Sequence, residues 1–319
     1  MRVLIVTNLI PDAASPQRGR WVTDQVEAIR AQGVDVEVFG FPPGRAAYLP
    51  ALRRLRRRLR DEAFDLVHAH YGLAGWVARL AGARPLIVTF HGTDVHHRVV
   101  GPMSRRLAPG LDLCAGVSRS LFGEQGRPGL PVLAGRTAVL PCGADLGRFR
   151  PMPRERARTE LGLDPHRPYL LFPADPARPE KRHRLAAELA AGTGTELLTG
   201  GAIDPEQMPL WINAANAVLV TSEYEGFGLV ALEALACDVP VLSTPVGIAP
   251  HALGPVRGCL VEPYDRDRWL TALRPHVEAD DPRVPGSRQA AGFSVELMAD
   301  RVLLAYAELI EAAGARLPA

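Results

Sequence analysis

Two carboxylates and a glycine turn mark the stretch of this chain best suited to chemistry. In Ser222–Val241, SEYEGFGLVALEALACDVPV, Glu225 and Glu233 stand eight positions apart around Gly226, Phe227 and Gly228. The apolar run Ala217-Val218-Leu219-Val220 before them reads as a strand end, and Leu229, Leu232 and Leu235 after them share one helical face. A helix N-terminus offers unpaired N–H groups and about half a positive charge. Glycines let a ligand come close to that backbone. Phosphates on the amides and hydroxyls on the two glutamates would suit such a site, and a nucleotide-sugar has that shape. The plain alternative is a strand–turn–helix with a solvated Glu225 and with Glu233 on the helix surface.

The second chemical group is a lone lysine. Of 37 basic residues, Lys181 alone is lysine and the others are arginine. Lysine is a compact point charge and arginine a rigid fork, so the two are not interchangeable at a phosphate. Lys181 lies in Arg178-Pro179-Glu180-Lys181, after the strand-like Tyr169-Leu170-Leu171-Phe172. That places it near a strand's C-terminal end, where open α/β sheets bind ligands. A lysine on a helix surface is the plain alternative.

The elements that must position these groups alternate. Val3–Thr7, Val34–Phe39, Leu66–His68, Leu86–Phe90, Leu111–Val117 and Thr137–Leu140 read as strands, several of them continuous apolar runs of the buried parallel kind. Trp21–Ala31, Ala51–Arg60, Gly72–Ala81, Met103–Ala108 and Ser118–Gln125 read as helices between them. Phe149–Pro168, rich in Pro and Arg, reads as a linker. A second alternation follows, with strands Tyr169–Phe172, Glu196–Thr199, Ala217–Val220 and Val239–Ser243 around helices Arg182–Ala191, Pro205–Ala214 and Leu229–Ala236. A long helical pattern, Val295–Ala312, ends the chain. The expected fold is α/β: two Rossmann-like, doubly wound domains facing a central cleft, residues 1–150 and 151–294, with 295–319 packing back towards the first.

Bulk properties narrow the function. At 319 residues and 47% hydrophobic content the chain can bury two cores. A net charge of +2 does not mark a general polyanion binder, and no nucleic-acid partner is expected. Cys114, Cys142, Cys237 and Cys259 are scattered and read as buried thiols in a reducing compartment. No apolar run is long enough to span a membrane. Met1–Ile10 reads as the first strand and not a signal peptide. Gly226-x-Gly228 lacks the third glycine of a G-x-G-x-x-G, which argues against a nicotinamide cofactor.

These residues resemble a known family. Glu225-Gly-Phe-Gly-x4-Glu233 is similar to the E-x7-E signature of the retaining GT-B glycosyltransferases of family GT4. Thr7-Asn8 with the later Gly19 resembles that family's first loop, and Thr89-Phe90-His91-Gly92-Thr93-Asp94 its T-x-H-G-x-D loop. Val117-Ser118 resembles its V-S helix start, and Leu140-Pro141-Cys142-Gly143-Ala144-Asp145-x3-Phe149 its segment before the linker. The resemblance implies roles. Glu225 would hydrogen-bond the donor sugar. The amides of Gly228, Leu229 and Val230 would hold the diphosphate or sugar. Glu233 would grip the ribose, and Lys181 would neutralise the diphosphate. His91 would face the transferred sugar, with Gly19, Gly92 and Asp94 on the acceptor side. A nucleoside-diphosphate sugar is then a substrate, and no cofactor or metal is required. The acceptor, a small molecule or a glycan with a hydroxyl or amine, is not specified.

Two departures from the family pattern stand out. The arginine usually found five residues before the lysine is Pro176 here, and Arg178 is the nearest substitute. Lys181 and Glu225 are 44 positions apart, shorter than usual by about one helix–strand unit, so Gly200-Gly201-Ala202-Ile203 would have to wall the base.

Other motifs have plainer readings. Asp265-Arg266-Asp267 matches D-x-D, but its place before Trp269-Leu270-x-x-Leu273 suits a helix cap. His68-x-His70 and His96-His97 lack a third metal ligand at suitable spacing. Leu52–Arg60 sets six arginines around three leucines. It reads as a solvated domain helix, with peripheral membrane contact as the alternative. The expected location is cytoplasmic, with the inner membrane face as its variant. Two rival functions share the architecture: a nucleotide-sugar 2-epimerase, and a catalytically silent scaffold.

Overall fold

Apolar runs become buried parallel strands in two separate sheets. The computed structural model describes residues 1–11, 18–123 and 128–314. The chain divides into two units, Met1–Gly143 with Val295–Ala319, and Ala144–Ser294. The first holds strands β1 (Arg2–Thr7), β2 (Asp35–Gly40), β3 (Leu66–His70), β4 (Leu86–Phe90), β5 (Leu113–Gly116) and β6 (Thr137–Val139). They pair in parallel in the order β2-β1-β3-β4-β5-β6. Its strand order turns at β1, so the loops after β1 and β3 open the crevice where such sheets hold ligands.

Val3, Ile5, Leu66 and Ile87 from these strands pack with Val22, Val26 and Ile29 of helix Arg20–Ala31. Met298, Val302 and Tyr306 of helix Val295–Gly314 complete the same core, so the C-terminal helix is part of the first unit.

The second unit holds β7 (Tyr169–Phe172), β8 (Glu196–Thr199), β9 (Ala217–Val220), β10 (Val241–Ser243) and β11 (Leu260–Val261) in the parallel order β11-β10-β9-β7-β8. The switch lies between β7 and β9. The loops after those two strands carry Lys181 and Glu225.

Several elements differ from the sequence expectation. Phe149–Pro168 contains helix Arg154–Glu160 and belongs to the second unit. Arginines do the docking that apolar residues usually do. Arg154 is 2% exposed and donates from Nε to Ala215 O at 3.1 Å, from Nη1 to Asp280 O at 3.0 Å and from Nη2 to Pro282 O at 3.1 Å, with Asp281 at 2.8 Å. Arg158 likewise reaches Ala214 O, Pro165 O and Asn216 Oδ1. Burial lowers the basicity of both groups, and the Asp281 carboxylate opposes it at Arg154. Arg154→Ala would strand three carbonyls and a carboxylate. It should cost about 3–5 kcal/mol of stability, read from denaturant melts.

The helix expected over Ser118–Gln125 is a 3-10 turn, Arg119–Phe122, ended by Gly123 at φ 102, and Gln125 lies outside the described residues. The expected helix Ala51–Arg60 starts earlier, at Arg45, and passes through Pro50. Its Leu55 is fully buried, while Arg53, Arg54, Arg56, Arg57 and Arg60 are exposed. Asp265 caps helix Arg266–Glu278 by accepting from Arg268 N at 3.0 Å. Cys114, Cys142 and Cys237 are buried and Cys259 half-buried, all four as free thiols. Among the described residues, no helix is long and apolar enough to cross a membrane.

Candidate functional site

Lys181 and Glu225 meet at the switch point of the second sheet. Pro179–Lys181 forms a 3-10 turn after β7, and Arg182 then enters helix His183–Thr193. Lys181 Nζ donates to Glu225 Oε1 at 2.6 Å, and the two side chains are 12% and 14% exposed. Ser222 Oγ donates to the same oxygen at 2.7 Å. The arrangement offers a cation, an acceptor oxygen and a helix head at one place.

The turn after Glu225 aims the helix head. Gly228, at φ 87, is the N-cap of Leu229–Ala236, so a left-handed residue directs Leu229 and Val230 into the first turn. Gly226 is half-buried and Phe227 is 5% exposed. Phe227 O accepts from Ile248 N at 2.7 Å. Glu233 is half-buried in the same helix. Arg178 does not join this group: its guanidinium pairs with Glu180, at 2.6 Å, and is half exposed. Gly200 and Gly201 lie against Pro173 and Asp175, so the segment expected to wall a base does flank the end of β7.

Gly247 carries no signal in the sequence beyond a Pro-x-Gly after a strand, yet it underlies the site. Its φ is +55, and a Cβ there would stand 2.2 Å from Phe227 O and 3.0 Å from Glu225 Cβ. Gly247→Ala should therefore push the Glu225–Phe227 turn aside. The expected loss is about 1–3 kcal/mol in denaturant melts, with weaker nucleotide binding by calorimetry.

The first unit places a stack of histidines at the carboxyl ends of β3 and β4. His68 Nδ1 lies 2.6 Å from Tyr306 Oη and its Nε2 lies 2.7 Å from Thr89 Oγ1. His68 and His70 stack at 4.3 Å, and His70 Nδ1 lies 3.1 Å from His91 Nε2. Trp21 packs 5.8 Å from His91. Burial lowers His68 and His91 to about 3, and His70 well below its ordinary value. His91 alone keeps part of its surface open, so water softens the effect there and a ligand can reach it.

Asp94 is fully buried. Its Oδ1 accepts from His91 N and Gly92 N and its Oδ2 from Gly72 N, each at 2.9 Å. Burial raises it to about 6, against the pull of these donors. With both oxygens taken by the backbone, Asp94 shapes the His91 loop. Gly19, at φ 68, heads helix Arg20–Ala31. Tyr306 and Trp21 belong to this site, and neither carries a local sequence signal. Among the described residues, no group of three His, Cys, Asp or Glu side chains is arranged to hold a metal.

The chain matches two family models. Residues 3–148 match Glycosyltransferase Family 4, and residues 175–284 match Glycosyl transferases group 1. It is 31% identical over 309 residues to a D-inositol 3-phosphate glycosyltransferase of Segniliparus rotundus, covering 79% of this chain and 68% of that protein. It is 31% identical over 323 residues to the protein of the same name from Nocardia farcinica, covering 81% and 71%. In fold it is similar to a sucrose-phosphate synthase from Thermosynechococcus elongatus, with a TM-score of 0.72 at 20% identity, covering 97% of this chain and 99% of that one. Anabaena HepE in complex with UDP is similar too, with a TM-score of 0.68 at 18% identity, covering 97% and 100%. Neither the epimerase nor the silent-scaffold reading finds support among these relatives. The chain belongs to the family 4, group 1 glycosyltransferases of GT-B fold, enzymes that transfer a sugar from a nucleotide-sugar.

Proposed function

We propose that this chain is a retaining, metal-independent glycosyltransferase that takes its sugar from a UDP-sugar. The observation that carries the reading is the Lys181–Glu225 pair, with Ser222 on the same oxygen, at the head of a glycine-capped helix. UDP is the nucleotide to try first because HepE is seen with UDP and with UDP-glucose. Lys181 and the amides of Gly228, Leu229 and Val230 hold the diphosphate, Glu225 holds the sugar and Glu233 the ribose. The second unit is thus the donor domain. The first unit takes the acceptor, through Gly19, Gly92 and the loop Asp94 supports, and His91 contacts the transferred sugar.

In the reaction the sugar's C1–O bond to phosphate breaks and a bond from C1 to the acceptor oxygen forms. The acceptor's proton passes to the departing phosphate oxygen. Negative charge grows on the diphosphate as the sugar becomes oxocarbenium-like, and preorganised donors stabilise it most at that moment.

D-Inositol 3-phosphate, which the relatives' name carries, is the first acceptor to offer. The test follows UDP release from a panel of UDP-sugars and reads the product's anomeric coupling by NMR. An α-linked product from an α-linked donor supports the reading. An inverted product, or turnover that depends on added divalent metal, contradicts it.

Peripheral membrane contact through Leu52–Arg60 rests on the arginine face alone, because Leu55 is buried in its own domain. Vesicles of anionic phospholipid that bind the wild type but not an Arg-to-Gln version would support it. No binding at low salt would end it.

A further inference from the structure

Two loops of the second unit are tied together by one side chain that no motif announces. Arg182 donates from Nε to Thr221 O at 2.6 Å and from Nη2 to Ser222 O at 2.8 Å, the two carbonyls that follow β9. A planar fork holds two successive carbonyls in fixed directions, a geometry that the rotatable point charge of an ammonium does not impose. Return bonds run the other way. Thr221 Oγ1 is shared between Lys181 O at 2.8 Å and Arg182 O at 3.2 Å, and Glu223 N donates to Glu180 O at 2.8 Å. Thr244 Oγ1, just past β10, donates to Ser222 O at 2.6 Å.

Arg182 does this from a strained backbone. Its φ and ψ are 52 and 48, a left-handed conformation that glycine enters freely and an L side chain does not. The residue sits immediately after Lys181. Strain at that point persists only where the surroundings hold it, and here the fork on the Thr221 and Ser222 carbonyls does so.

We propose that Arg182 is the positioning residue that sets Lys181 against Glu225 and so builds the diphosphate end of the site. It acts through two neighbours. One is Lys181, whose carbonyl is bonded by Thr221. The other is Ser222, whose carbonyl Arg182 holds and whose hydroxyl meets the same Glu225 oxygen as Lys181 Nζ. Without the fork, the loops after β7 and β9 lose two of the side-chain hydrogen bonds that join them, and Lys181 loses its fixed distance from Glu225. The inference rests on the reading of this pair as the donor site.

The experiment is a double-mutant cycle on UDP affinity by calorimetry, using wild type, Arg182→Gly, Lys181→Ala and the double variant. Arg182→Gly should weaken UDP about tenfold in the wild-type background and less than about twofold when Lys181 is already gone, because the two act as one unit. A residue that merely supports the fold would weaken binding equally in both backgrounds. Glycine suits the left-handed position, so Arg182→Gly should melt no lower than Arg182→Lys, which keeps both charge and strain. Arg182→Lys should lose UDP affinity as the glycine variant does, and it carries the test should the glycine variant not fold. Full additivity of the two losses, or wild-type affinity in Arg182→Gly, overturns the inference and leaves the donor site standing. A wild type that binds no UDP overturns the donor-site reading and the inference with it.

Discussion

Lys181→Ala should turn over donor about 10²–10³ times more slowly than the wild type, the size of effect seen when one transition-state donor is removed. The reason is where charge develops. The diphosphate gains negative charge as the glycosidic bond breaks, and Lys181 Nζ is already fixed on Glu225 Oε1 at 2.6 Å, beside the helix head. A group held in place needs no reorganisation during the reaction, so its worth is greatest in the transition state. The fold should survive the change, because Glu225 keeps the Ser222 hydroxyl at 2.7 Å. Initial rates of UDP release, set beside a melting curve, separate the two effects. A variant that keeps near-wild-type turnover removes Lys181 from the mechanism.

Acid should destabilise the first unit well before ordinary carboxylates titrate. Chiefly by burial, His68 and His91 are lowered to about 3, and His70 well below the ordinary value near 6.5. Between those limits the unfolded chain binds protons that the folded chain refuses. The stability is therefore fully present above pH 6.5 and is lost as pH falls towards 3. Each refused proton weakens the fold by about 1.4 kcal/mol per pH unit. Asp94 works in the opposite sense. Held up at about 6 against an ordinary 3.8, it binds its proton first in the folded state, so it offsets one histidine as pH falls from 6 to 3.8. The net expectation is a loss of about 1.4–3 kcal/mol per pH unit below pH 6, the worth of one to two protons, since water softens the effect at His91. Melting temperatures from pH 8 to 4.5 check it, and His68→Gln should flatten the slope. A melting temperature that stays level down to pH 5 would contradict the account.

Much of the Lys181–Glu225 site could be read from residue types alone. Gly228 marked a helix start, a lone lysine marked a strand end, and the structure brings Lys181 and Glu225 into direct contact across 44 positions. The strands were legible because buried parallel strands are continuous apolar runs, as β1, β4, β7 and β9 are. What stayed hidden depends on tertiary contact. Arg154 and Arg158 look like a solvated linker until their guanidinium groups find backbone carbonyls. Gly247 matters because Phe227 O lies where its Cβ would be, a clash no local pattern announces. Arg182 shows its purpose only once β9 is beside it, and Tyr306 reaches His68 from 238 positions away.

The most direct measurement is a thermal-shift panel of UDP, GDP, ADP, TDP and CDP against wild type and Lys181→Ala. A diphosphate at about 100 times its Kd should add about 2.7 kcal/mol to stability, a rise of about 5–10 °C. The expected result is a shift of the wild type with UDP that shrinks or disappears in Lys181→Ala. Equal shifts in both proteins, or none with any diphosphate, would contradict the assignment of this site to the nucleotide-sugar.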